Sequence, residues 1–121
     1  MVTITKAKSR KMAVRAFTDR PEALLSAIKN GIAEGRVVGW KIDQDGDLTL
    51  TSEDFANQAW MRPKVISDRL LFNILGRKSE KMSRRLYAVY HARLVQMLLT
   101  YFDTRLTRAT ATAAPTSGDN L

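Results

Sequence analysis

A chain of 121 residues with 45% hydrophobic positions has the size and composition of one globular domain, long enough to bury roughly two-thirds of the surface its unfolded form exposes. Its formal charge of +8 favours polyanionic partners, because Lys and Arg displace the counterions condensed on phosphates, and the same charge also keeps a small protein soluble. The absence of cysteine excludes disulfides, thiolate zinc sites and cysteine nucleophiles, and is compatible with a cytoplasmic location.

The first residues are basic without an apolar core or a small-residue cleavage motif, so they do not read as a secretory signal. The longest apolar run, Leu94 to Phe102, is broken by Gln96 and Thr100 and falls far short of the roughly 20 residues a membrane helix needs. No membrane partner is expected. The chain divides into a basic arm at 1–10, a single domain at 11–106 and an unstructured tail at 107–121, where an Ala/Thr repeat with Pro115 and Gly118 shows no periodicity.

In chain order, the alternation of Met12, Val14 and Ala16 suits a short strand. Asp19-Arg20-Pro21-Glu22 then supplies an acceptor at the N-cap, proline in the first turn and Glu at N3, a capping box opening a helix. Leu24, Leu25, Ile28 and Ile32 repeat at helical spacing, and Gly35 offers a left-handed cap, with Gly31 an earlier alternative end.

Residues 36–52 read as a hairpin. A three-residue loop, Gln44-Asp45-Gly46, sets Ile42 opposite Leu48 and Trp40 opposite Leu50, whereas a two-residue loop divides the apolar residues between faces. The longer loop also puts Gly46 where a type I turn with a G1 bulge requires positive φ. Thr51 or Ser52 followed by Glu53 and Asp54 predicts a further helix, with Phe55, Ala59 and Trp60 inward and Pro63 ending it.

Residues 69–75 fit strand or helix, and the alternation of Leu70, Phe72 and Ile74 before Gly76 favours strand. The strongest element is a helix from Ser79 or Ser83 to about Asp103. Leu86, Tyr87, Tyr90, Leu94, Val95, Met97, Leu98, Tyr101 and Phe102 share one half of it, and Arg85, Arg93, Gln96 and Asp103 the other. The expected fold is α+β: a small antiparallel sheet containing the hairpin, packed by the N-terminal helix and the long C-terminal helix. A mostly helical protein with one hairpin is the second reading.

Charge is sorted along the chain. Residues 1–20 hold six Lys/Arg against one acid, 62–93 hold nine against two, and 41–54 hold five acids against Lys41. Arg77, Lys78, Lys81, Arg84 and Arg85 surround a glycine turn feeding a helix N-terminus, where backbone N–H groups attract anions. Together with Lys6, Lys8, Arg10 and Lys11 they are the expected contacts to nucleic acid or another anion. The stretch lacks the second glycine and the Gly-Lys-Ser/Thr ending of a Walker loop.

No catalytic set is evident and no cofactor is implied. His91 is the sole histidine and falls on the apolar side of the last helix, so a buried, hydrogen-bonded imidazole is favoured over catalysis. His91, Tyr87, Trp60 and Arg62 are the candidate pocket. Asp43, Asp45 and Asp47 suggest calcium, but the glycine sits at the fourth position and Glu53 one residue short of the twelfth ligand, so no metal is assigned. Trp40, Trp60 and Phe72 fall in apolar registers, favouring core over exposed base-stacking platforms.

The run Trp40-x-x-Asp43-x-Asp45-Gly46-Asp47, then Ala59-Trp60-Met61-Arg62-Pro63, then Ala88-Val89-Tyr90-His91-Ala92-Arg93 resembles a family of small, functionally uncharacterised bacterial proteins. The resemblance implies a compact bacterial domain and carries no activity, substrate or cofactor. The leading expectation is a non-enzymatic binding protein with an acidic partner such as nucleic acid. The alternative is a homodimeric or protein-interaction module using the apolar arc of the last helix, with Val95, Leu99 and Phe102 at its margins.

Overall fold

Two helices and a six-stranded antiparallel sheet account for the regular structure of the residues described in this computed structural model, which are Lys6, 14–78 and 80–112. The elements run β1 (Val14–Phe17), α1 (Pro21–Ala33), β2 (Trp40–Ile42), β3 (Leu48–Leu50), β4 (Ala59–Ile66), β5 (Arg69–Gly76), α2 (Arg84–Tyr101), a short 3-10 turn (Asp103–Arg105) and β6 (Arg108–Ala111). In the sheet they lie in the order β2-β3-β4-β5-β1-β6. The α+β architecture is as the sequence predicts. Among the described residues no helix is long and apolar enough to cross a membrane.

Strand parity decides which face is the core. Val14 and Ala16 of β1 lie opposite Phe72 and Leu70 of β5, Ile74 lies opposite Met61 of β4, and Met61 opposite Leu48 of β3. All are buried in one cluster with Leu24 and Ile28 of α1 and Tyr90, Leu94 and Leu98 of α2. Both helices therefore cover the same inner face. The intervening residues Trp60, Arg62 and Lys64 of β4, Leu71, Asn73 and Leu75 of β5, and Arg15 and Phe17 of β1 belong to the outer face. Trp60 and Leu75 face each other there and are both buried.

The hairpin has the expected three-residue register, Trp40 with Leu50 and Ile42 with Leu48, and Gly46 takes φ of 82°. Gly35 adopts φ of 77° just beyond α1, and the Gly35 and Arg36 N–H groups donate to the Ile32 and Gly31 carbonyls, closing the helix as a left-handed cap does. The start of α1 differs from expectation. Arg20 is the N-cap with no side-chain cap, because Pro21 takes the first helical position, and the Arg20 N–H instead donates to Thr18 Oγ1.

Three further expectations are corrected. Glu53 to Gln58 form turns rather than a helix: the Phe55 and Ala56 N–H groups donate to the Ser52 carbonyl, and Asn57 at φ of 59° redirects the chain into β4. Pro63, expected to stop a helix, lies within β4. There β3 pairs with β4 only through Leu48 and Met61, so the strand has an open side that accommodates a residue unable to donate. Arg108–Ala111, expected to be part of an unstructured tail, form β6 against β1. The Thr107 N–H donation to the Phe17 carbonyl starts this pairing. Residues 69–76 are strand, and α2 starts where Ser83 Oγ accepts the Leu86 N–H.

Candidate functional site

The acidic hairpin turn is built by its own backbone. Asp43 Oδ1 accepts the N–H groups of Asp45 and Asp47, the Asp43 N–H reaches the Asp47 carbonyl, and the Gly46 N–H reaches the Asp43 carbonyl. Asp and Gly fit such turns because the Asp side chain caps the backbone and glycine tolerates positive φ. The three carboxylates consequently converge, with one oxygen of each within 4.8 Å of the others.

A lysine ammonium fills the space between them. Lys6 Nζ lies 2.5 Å from Asp43, 3.0 Å from Asp45 and 2.7 Å from Asp47. It also stands 4.9 Å from the centre of the Trp60 ring, a cation–π arrangement. Arg62 closes the cluster from β4, its Nε and Nη2 each donating over 2.8 Å to Asp47. Burial alone would lower the Lys6 pKa, but hydrogen bonds to Asp43, Asp47 and Asp45 outweigh it and leave it raised. At Asp43 burial pushes upward, and the Lys6 bond with backbone donation outweighs it, so the carboxyl ends below its ordinary value. The bonds to Asp47 raise Arg62 despite its partial burial. The cluster is thus an internally satisfied ion network rather than an acid/base pair.

Of the expected anion contacts, Lys6 is consumed by the acidic turn. Lys8, Arg10 and Lys11 lie outside the described residues. The backbone of Lys6 bridges to Arg77, so folding does join the N-terminal segment to the approach of α2. Arg77 donates to the Asn57 carbonyl at 2.9 Å and reaches Glu80 at 3.5 Å. Lys78, Lys81, Arg84 and Arg85 are exposed, with the Arg85 guanidinium 5.7 Å from the Phe55 ring. Further along the exposed side of α2 stand Ala88, Ala92, Arg93 and Gln96. No acidic residue occurs between Glu80 and Asp103.

The candidate pocket residues do not assemble. His91 and Tyr87 lie on α2 against the inner side of the sheet, while Trp60 and Arg62 belong to the outer face. His91 is 4% exposed, its Nδ1 2.7 Å from the Tyr87 carbonyl and its ring stacked at 3.8 Å on that of Tyr87. The imidazole is a packed core group. Three surface hollows of about 550, 510 and 200 Å³ lie beside the β4–β5 turn and the C-terminal half of α2, and His91 lines none of them. Trp40, Trp60 and Phe72 are all buried.

Sequence reasoning missed the outer-face row in which Phe17 lies between Arg69 of β5 and Arg108 of β6, with guanidinium-to-ring distances of 5.5 and 4.3 Å. It also missed the Lys6 anchorage, because reading the stretch before Pro63 as helix hid the strand parity that sends Arg62 to the outer face beside Asp47. Comparison with protein-family models finds no match. None is found among curated proteins or among solved structures either.

Proposed function

We propose that this domain is a non-enzymatic, cytoplasmic polyanion-binding protein that meets nucleic acid along the exposed side of α2 and its N-terminal approach. The observation that carries the reading is the acid-free stretch between Glu80 and Asp103, in which Lys81, Arg84, Arg85 and Arg93 are exposed. Cations at a helix N-terminus oppose the macrodipole. An anion bound beside Arg84 and Arg85 relieves that repulsion while also meeting the first-turn N–H groups. The small side chains Ala88 and Ala92 between the cations leave room for a phosphate backbone to lie close to the helix.

The test is affinity for a duplex DNA and a single-stranded RNA as a function of salt. Four phosphate contacts give a slope of log K against log salt of about −3 to −4. The R84A/R85A variant should flatten that slope by about 2. Absence of binding at low salt, or an unchanged slope in the variant, overturns the reading.

The alternative of a homodimer through the apolar arc is weaker. Phe102 is buried within its own chain and Val95 is half-buried, leaving Leu99 at 51% exposure as the one of the three named margins that faces solvent.

A further inference from the structure

Lys6 joins two otherwise separate parts of the molecule. Its backbone pairs beside Arg77, at the approach to the basic side of α2, while its ammonium crosses the Trp60 ring to reach the turn between β2 and β3. The turn offers it three converging carboxylates, a local charge that Lys6 and Arg62 together do not fully cancel. A cluster of oxygens preset by backbone hydrogen bonds has the same attraction for a basic segment as phosphate has.

We propose that the Asp43–Asp45–Asp47 turn is a built-in anion mimic that latches the chain at Lys6 across the outer face of the sheet and competes with an external polyanion for it. This inference rests on the polyanion-binding reading above. Latch and ligand are then linked reciprocally: whatever loosens Lys6 from the turn raises affinity for polyanion, and polyanion loosens Lys6 by the same factor. Asp47 is held independently by Arg62, so the turn keeps its shape when Lys6 leaves.

The indole N–H signals of the two tryptophans report on this in the full chain. Trp60 lies under Lys6, and Trp40 packs edge-on against Tyr90 in the core, so Trp40 is an internal check on folding. In the first arm, without polyanion, Lys6→Met and the D43N/D45N variant are compared with the wild type. Asn keeps the acceptor oxygen at position 43 that the turn uses and removes the charge. With Trp40 unmoved, both variants should displace the Trp60 signal in the same direction, and an unmoved Trp60 signal in both overturns the latch.

In the second arm inorganic polyphosphate is the probe, and D19N/E22Q serves as the charge-matched control at the start of α1. Polyphosphate should drive the wild-type Trp60 signal toward its Lys6→Met position. D43N/D45N should bind at least about threefold more tightly than D19N/E22Q. Binding without movement of Trp60, or with equal affinities in the two variants, overturns the competition. No binding at all, with the first arm positive, overturns the functional reading and the competition together and leaves only the anchorage of Lys6.

Discussion

Arg62 and Asp47 form a two-pronged ion pair, Nε to Oδ1 and Nη2 to Oδ2, both 2.8 Å, with the Asp47 side chain only 1% exposed. Parallel donors of this kind fix direction as well as distance. Because Lys6 shares Asp47 Oδ2, one buried carboxylate holds β4 and the N-terminal segment to the hairpin.

Replacing Asp47 by Ala removes both Arg62 contacts and one of the three carboxylates around Lys6, whose ammonium keeps Asp43 and Asp45, and is expected to destabilise the fold by about 2–3 kcal/mol. Arg62→Ala should cost clearly less, since Asp47 keeps Lys6 and the Arg62 side chain is partly solvated. Urea midpoints at constant m-value check the order. Equal losses would mean that the carboxylate is not shared in the way described.

The same cluster sets a pH dependence with opposite limbs. Asp43 titrates below its ordinary value of 3.8 in the folded chain, so its contribution is present above that pH and is lost as pH falls through the lowered folded value. Lys6 titrates above its ordinary 10.5, so its contribution is complete below that pH and is lost as pH rises through the raised value. The stability difference between wild type and Lys6→Met should therefore be flat between these limits and shrink beyond each. A difference that grows on acidification contradicts the geometry.

Tyr90 ties α2 to the far side of the hairpin. Its hydroxyl donates to the Phe55 carbonyl, accepts the Leu50 N–H and lies 3.0 Å from Thr49 Oγ1. Tyr90→Phe preserves the ring packing and removes these partners from buried groups, at an expected cost of about 1–3 kcal/mol. Thermal or urea unfolding measures it. A neutral result would show that water replaces the hydroxyl.

Gly31 sits in α1 where a Cβ would lie 2.8 Å from Val37 Cγ2. Alanine improves helix propensity by about 1 kcal/mol, but Val37 is a short, branched and buried side chain whose backbone N–H is bound to the Gly31 carbonyl. Overpacking is therefore expected to win, with Gly31→Ala destabilising by about 1–2 kcal/mol net. A stabilised variant would place slack in the α1–β2 connection.

What the sequence made legible was local and periodic. Alternation fixed the register of Trp40 to Leu50 and favoured strand over helix at 69–75 without excluding helix, and the helical repeat from Leu86 to Leu98 identified α2. Ser52, the acids after it and Phe55 fit one turn of helix equally well, so only Asn57 and the ladder from Ala59 decide against a longer one. β6 consists of Arg, Ala and Thr without an apolar signature, and its existence depends on the uncovered flank of β1. The cage around Lys6 joins residues 37 to 41 positions apart, a separation that no run of charges encodes. The basic cluster itself could be read directly, whereas the engagement of Arg77 with Asn57 and Glu80 could not.

The outermost strands, β2 and β6, are three and four residues long. A foreign strand arriving at either flank finds too little exposed backbone to be templated, and β6 adds a repelling guanidinium at Arg108. Recruitment of other chains by extension at these two flanks is thereby discouraged.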